Sequence, residues 1–429
     1  MRTSIRNLAV GATALAVGGV LPAAAWAQEI GDTTSIVIAP SLTRSDVAGG
    51  RLEPEFAPEP IRAGPLVIDA SVSLVGGYDT NVFDRPDGKG DAVSLITPRV
   101  RLRADTARHL LQLTAVGQVR RFVSTKSENS EEFDLRAQTR LDLAERQSVF
   151  ANASWGRQIE PRSSAGTSIN ADEPVSYARA SAQLGADIEL GRLWVRPAVD
   201  IDETDYSNIE IAGVDTDLSF RNTRNYGGKL AVGYKFSELF AAFGEGGYSE
   251  TESLDAAPGA ERDASDKSFL AGVRGEVSPL VSAEVAVGYR QRDYELDRFR
   301  DYKGLTYRAN VQYFVTPLIT LQFQANQSFL NSGNALVAGI LSNRASLSGY
   351  YDPLRNLRLS TTIAYEHNRY RETDTVARRP SLRMAAQFQA NRHLSLGIFA
   401  GLRRQDVSGT PLVREFTSFS SGVGITLTP

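Results

Sequence analysis

From Leu66 onward, apolar and polar residues alternate with a period of two. In FDLRAQTRLDL, residues 133–143, Phe133, Leu135, Ala137, Leu141 and Leu143 fall in one phase with Thr139. Asp134, Arg136, Gln138, Arg140 and Asp142 fall in the other. Successive side chains of a strand point to opposite faces, so this stretch predicts a strand with one apolar and one strongly polar face. A helix would set Arg136 and Arg140 among apolar neighbours on every turn. The same split recurs at 305–315, 357–366 and 382–391.

The pattern predicts about eighteen strands, near 66–79, 92–104, 108–122, 132–144, 148–159, 177–190, 193–203, 222–236, 239–250, 266–277, 281–293, 304–315, 318–329, 341–352, 356–370, 381–391, 393–405 and 415–428. Their connections alternate in length. AERQ, GR, SPLV and TPL are short, whereas STKSENSEE, EPRSSAGTSINADEPV and TESLDAAPGAERDASD are long and polar. Short turns at one end and long loops at the other predict an all-β fold: a transmembrane up-and-down antiparallel β-barrel with short periplasmic turns and longer extracellular loops. A soluble sandwich would bury its apolar face and connect its strands irregularly. A solenoid would keep a near-constant repeat, which is absent.

The N-terminus reads as a separate signal. Arg2 and Arg6 precede an apolar stretch from Leu8 to Leu21, and Ala25-Trp26-Ala27 is a small-residue cleavage site. Residues 1–27 are therefore expected to be a cleaved secretory signal peptide. Residues 28–65 carry Pro40, Pro54, Pro58, Pro60 and Pro65 with Glu53, Glu55 and Glu59. Such a segment cannot bury a core and is expected to be an extended or disordered periplasmic arm. The barrel then occupies 66–429. Secretion without a membrane-crossing helix agrees, because only helices and closed barrels satisfy the backbone in lipid.

If the apolar phase meets lipid, the polar phase lines a lumen wide enough for water. Its basic residues include Arg101, Arg103, Arg120, Arg136, Arg140, Arg179, Arg196, Arg290, Arg292, Arg308, Arg344, Arg358, Arg383 and Arg403, with Arg99, Lys229, Lys235 and Arg274. On this face they outnumber the acids Asp69, Asp134, Asp142, Asp187, Glu189, Asp200, Asp202, Glu245, Glu284 and Glu366. Since the chain carries a net charge of −3, the excess is positional and the long loops hold the balancing acids. A wall of fixed positive charge attracts anions. Arginine also forks onto carboxylate, sulfate or phosphate. The competing reading is that these arginines pair with acids across strands, as Arg120 would with Asp134, and only stiffen the barrel. Amides such as Gln138, Gln312 and Gln387 suit hydroxyl-rich solutes or plain hydration equally.

Little catalytic chemistry is expected. The chain has no Cys, and His109, His367 and His393 lack metal-ligand spacing, so no cofactor or metal is implied. Ser346 or Ser360 with His367 and Asn368 is the nearest approach to a hydrolase set, but nothing fixes these residues together. Asp79, Asn81 and Asp84 loosely resemble alternating oxygen ligands. They lack the glycine and terminal Glu of a helix–loop cation site, so a turn is the expected reading. No phosphate-binding loop, dinucleotide fingerprint or nucleic-acid-binding pattern is present. The arm is too short to be the plug of a siderophore transporter.

GGYDTNVFDR (76–85), the following DAVSLITPRVRLRADTARHLLQLTAVGQVRRF, and SWGRQIEPRSS together resemble the putative β-barrel porin 2 family. Gly77, Tyr78, Asp79, Asn81, Val82 and Phe83 match its Gly-Tyr-Asp-x-Asn-hydrophobic-aromatic signature. Arg224, Tyr226, Gly227 and Gly228 match a later run. The resemblance spans 66–429. It implies an outer-membrane barrel and, more loosely, a part in exopolysaccharide export; it transfers no catalytic residues. The expectation is a conduit in the cell outer membrane for an anionic or sugar-like solute. A general diffusion porin with anion preference and a non-conducting structural or adhesive barrel are the alternatives. Expected partners are outer-membrane lipids, the barrel assembly machinery, and periplasmic and inner-membrane polysaccharide synthesis proteins. The arm is expected to dock that apparatus or to occlude the pore.

Overall fold

The computed structural model describes residues 47–50, 55–167, 171–410 and 412–429. The signal peptide expected at 1–27 lies outside the described residues, as does most of the arm. The strands are β1 (Ile61–Ala63), β2 (Leu66–Asp79), β3 (Asp91–Asp105), β4 (His109–Phe122), β5 (Ser130–Ala144), β6 (Gln147–Ile159), β7 (Ser176–Leu190), β8 (Leu193–Tyr206), β9 (Ile209–Ile211), β10 (Val214–Thr216), β11 (Thr223–Lys235), β12 (Phe240–Ser253), β13 (Ala264–Ser278), β14 (Val281–Tyr294), β15 (Tyr302–Thr316), β16 (Ile319–Asn331), β17 (Gly339–Leu354), β18 (Leu357–Tyr370), β19 (Val376–Gln389), β20 (Leu394–Ser408) and β21 (Phe416–Leu427).

Eighteen of these, β2–β8 and β11–β21, form one antiparallel barrel in which each strand pairs with its chain neighbours and β2 pairs with β21 to close the ring. The strands form because their alternation suits two solvents. Leu74, Leu135, Leu305, Ile363 and Met384 stand exposed on the outer face, where lipid would cover them. Closure pairs both edges of the sheet, save for the N-terminal end of β2. Turns at one end are as short as residues 145–146 and 191–192, and Gly191 takes the left-handed conformation (φ 64°) that its tight turn requires. At the other end, loops such as 160–175 and 207–222 are long; the latter carries the β9–β10 hairpin.

Boundaries mostly fall within two or three residues of the alternation. The exception is β19, which begins at Val376 rather than 381. Pro380 sits inside the strand, paired with Tyr365 of β18. On the β20 side the ladder skips from Arg378 to Ser381, so the missing N–H falls where no bond is made. Pro98 and Pro197 interrupt one flanking ladder of β3 and β8 in the same way.

The closing seam differs from the hairpins. β2 and β21 pair only from Val72–Leu427 to Asp79–Ser420, so Leu66–Ser71 project beyond the last strand. β1 folds back and pairs with Leu66–Ile68 on the edge that β21 leaves open.

Candidate functional site

Register places all the predicted basic candidates on the inner face. Asp69 lies opposite Arg101 across β2–β3, Arg120 opposite Leu95, Arg344 opposite Glu366, and Arg383 opposite Thr362. Most hold an acid. Arg101 meets Asp69 at 2.9 Å, Arg103 meets Asp105 at 2.6 Å, Arg136 meets Asp134 at 2.5 Å and Arg140 meets Asp142 at 2.7 Å. Arg179 meets Asp202 at 2.7 Å, and Arg196 pairs with Asp187. Arg290 and Arg292 share Asp266, at 3.3 and 4.0 Å. Arg308 bridges Glu245 (2.8 Å) and Glu284 (3.0 Å), and Arg358 meets Asp352 at 3.1 Å. Arg403 reaches Asp84 at 3.2 Å and Asp79 at 3.6 Å.

Asp134 thus takes Arg136 on its own strand rather than Arg120. Acids that the inward-facing tally left out also join the wall: Asp79, Asp105, Asp266 and Asp352 at strand ends, and Asp84 from a loop. Of those at strand ends, only Asp105 falls outside its expected strand; Asp79, Asp266 and Asp352 are the end residues of theirs. Arg99, Lys229 and Arg274 face the lumen without an ion pair among the described residues, and Arg274 lies over the Trp194 ring at 3.8 Å.

Aromatic rings lie flat against the inner wall because glycine on the next strand leaves them room. A side chain at Gly233 would lie 2.3 Å from the Trp194 indole, and one at Gly185 would lie 2.4 Å from Phe150. Trp194 packs with Ala231, Phe243, Leu270 and Ala286, and Phe399 with Val75 and Leu95.

The outer mouth is crossed by the loop after β6. Glu160 takes two hydrogen bonds from the fully buried Arg221, at 3.0 and 2.8 Å, while Arg221 stacks on Tyr206 at 3.8 Å. Arg162 donates to both oxygens of Glu128. From this anchor the chain reaches β18–β20, on the opposite side of the ring. There Tyr370 Oη donates to the Ala165 carbonyl at 2.7 Å and Arg403 Nη1 donates to Ser163 Oγ at 2.9 Å. Ala165 packs among Val337, Ile340, Tyr370, Ala377 and Val413. Under this loop Asp84 is buried at φ 49°, with one carboxylate oxygen lacking a hydrogen-bond partner. Burial pushes its carboxyl up to about 6, against the pull of Arg403 and with help from Asp79.

At the inner mouth, Val47 and Ala48 are buried, and the Gly49 N–H donates to the lumen-facing Asp352 at 3.2 Å. Glu55 meets Arg355 at 3.5 Å and Glu59 pairs with Arg392, so the arm's end is held along the same rim.

A family model described as putative beta-barrel porin 2 matches residues 53–428. The chain belongs to this family. No curated protein matches the sequence. Among solved structures, the chain is similar to the copper transporter OprC (10% identity, 86% of this chain and 81% of that one, TM-score 0.47). It is also similar to OccK1 (OpdK) from Pseudomonas aeruginosa (10%, 84% and 99%, 0.43) and to the siderophore receptor PirA from Pseudomonas aeruginosa (11%, 84% and 80%, 0.41).

As a member of the beta-barrel porin 2 family the chain is an outer-membrane pore-type barrel. The signature residues Gly77, Tyr78, Asp79, Asn81 and Phe83 lie at the outer end of the closing seam. Tyr78 is exposed on the outer face at the level of an aromatic girdle. A side chain at Gly77 would lie 2.8 Å from the Ser421 carbonyl, so glycine permits close approach of the first and last strands. Asn81 is buried in a turn, donating to Arg85 O at 2.6 Å and accepting from Arg85 N–H at 3.0 Å. Asp79 accepts from the Asn81 N–H at 2.8 Å, which completes an Asx turn. Ser346 and Ser360 share the inner phase, whereas His367 lies in the outer phase with Ile363 and Tyr365, so no serine–histidine pair forms there.

Proposed function

We propose that this porin-family barrel is a conduit for an anionic or sugar-like solute and takes part in exopolysaccharide export. The observation that carries the reading is the inner wall itself. Arg99, Lys229 and Arg274 stand there without an ion pair among the described residues, beside paired arginines and amides such as Gln112–Gln138 and Asn152–Gln183. Fixed cations in a low-dielectric wall draw anions, and amides hydrogen-bond hydroxyls. The periplasmic and inner-membrane polysaccharide synthesis proteins are the proposed partners, met at the rim where Glu55 and Glu59 hold the arm. Reversal potentials of the purified barrel in planar bilayers under a KCl gradient test the charge preference; cation preference would sink it. A deletion strain with unchanged surface polysaccharide would leave the general diffusion porin as the reading.

The loop crossing the outer mouth favours a second reading, a structural or adhesive barrel that conducts nothing. Absence of single-channel current across the full voltage range, with the loop intact and with it excised, would select that reading.

A further inference from the structure

The inner wall is not equally wet all round. On β3 and β5 the arginine side chains stand half open: Arg101 and Arg103 are each 50% exposed, Arg136 48% and Arg140 45%. On β16–β20, the stretch of wall that leads round to the closing seam, the inner phase is covered. Thr320, Gln322, Tyr350, Ser360 and Glu366 are buried, and Arg379 and Arg403 are only 5% and 7% exposed. The open wall is therefore the short-turn half of β3–β5; nearer the outer mouth Asp91, Val93 and Leu95 of β3 are buried. Arg103 and Arg140 lie near the short-turn end and Arg99 and Arg136 nearer mid-height, so the open wall begins at the periplasmic rim.

The two sets of arginines also differ in what they can release. Arg379 and Arg403 sit on acids with little water access, and parting them would strand a buried charge. The β3–β5 pairs are solvated, and exposed ion pairs contribute little to stability. Their guanidinium groups can exchange Asp69, Asp105, Asp134 or Asp142 for a passing carboxylate at small cost. Arg99 holds no ion pair among the described residues; it is exposed on the same inner phase as Arg101 and Arg136. Positions two apart on a strand are about 7 Å apart, and neighbouring strands about 4.8 Å, so these groups form a grid on the scale of single sugar units. Gln112 and Gln138, hydrogen-bonded at 3.3 Å, fill the gap between the arginine rows with groups suited to hydroxyls.

We propose that the β3–β5 wall, through Arg99, Arg101, Arg103, Arg136 and Arg140, is the binding track for a carboxylate-bearing saccharide chain entering from the periplasmic end. This rests on the conduit reading above and narrows it to one wall and one class of solute. The buried arginines of β19 and β20 are framework; the half-exposed ones select the solute.

The test is calorimetric titration of the detergent-purified full chain with tetragalacturonate, using maltotetraose as the neutral probe. The variants are Arg99→Gln/Arg101→Gln/Arg136→Gln on the track and Arg290→Gln/Arg292→Gln away from it. The track variant is expected to weaken tetragalacturonate binding more than tenfold, and the β14 variant less than twofold. Wild-type binding should fall steeply with added salt, and maltotetraose should bind far more weakly. Equal affinity of wild type and track variant, or equal affinity for the two sugars, would overturn the proposal. Heat-shifted gel mobility checks that the variants fold. Because binding is read without current, a barrel that binds but does not conduct would discard the conduit reading alone. A barrel that conducts but does not discriminate would discard the track alone.

Discussion

Asn81 Nδ2 donates to the Thr417 carbonyl at 3.0 Å, joining the first outer loop to the last strand. It does not act alone. Ser418 Oγ donates to Asp79 at 2.6 Å, the Thr80 N–H to Phe419 O at 2.9 Å, and the Phe419 N–H to Thr80 Oγ1 at 2.9 Å. The short β2–β21 ladder ends at this point, so the family signature is a clasp on the seam. Asn81→Ala removes buried bonds to both Thr417 and Arg85. Leaving buried polar partners unmet costs about 1–3 kcal/mol, so urea unfolding followed by gel mobility should show a lowered midpoint. An unchanged midpoint would assign the signature no role in closure.

Trp194 and Gly233 form a second dependent pair. A valine at Gly233 cannot share space with the indole 2.3 Å away. Either the strand shifts or the ring swings into the lumen, at a cost of about 1–3 kcal/mol for overpacking. Gly233→Val is expected to red-shift tryptophan emission and to lower single-channel conductance. Gly228→Val, on the outer phase with no atom within 4 Å, should do neither.

The fold was legible in the sequence because lipid and water impose opposite demands on alternate residues, and FDLRAQTRLDL answers both. The start of β19 at Val376 rather than 381 was not legible, since the effect of Pro380 depends on which side of the strand lacks a hydrogen bond. The site was half legible. Period two places Arg403 on the inner face, but nothing local reveals that Asp84 and Ser163, far away in sequence, are its partners. The same holds for Tyr370 and Ala165. Contacts between loops across a ring leave no periodic trace.

Closure of the outer mouth should depend on pH through Asp84. Its carboxyl sits at about 6 beneath the crossing loop and returns toward 3.8 when solvated. The closed form therefore holds the proton more tightly. This contribution is complete below pH 3.8 and is lost as pH rises through 6. A shift of this size corresponds to about 3 kcal/mol. Asp84 faces Arg403, Asp79 and Arg379, with Arg85, Arg162 and Arg414 lining the cleft beside it. Open probability in bilayers is expected to rise from pH 5 to pH 7, and Asp84→Asn should flatten the profile. A profile rising toward acid would reverse the assignment.

The inner mouth carries the remaining constraint. Gly49 is bound to Asp352, which also holds Arg358, so the arm's end and the barrel wall share one carboxylate. Val47 and Ala48 are buried beside it. Deleting residues 28–58 spares β1 and its cover of Leu66–Ile68, and so should leave the barrel folded. Single-channel conductance of that variant is expected to exceed that of the mature chain. Asp352→Asn should give a smaller rise, because an amide oxygen still accepts from Gly49 but loses the charge paired with Arg358. Equal conductance in all three would mean that the arm rests at the rim without obstructing the lumen, leaving Glu55 and Glu59 as its functional contacts.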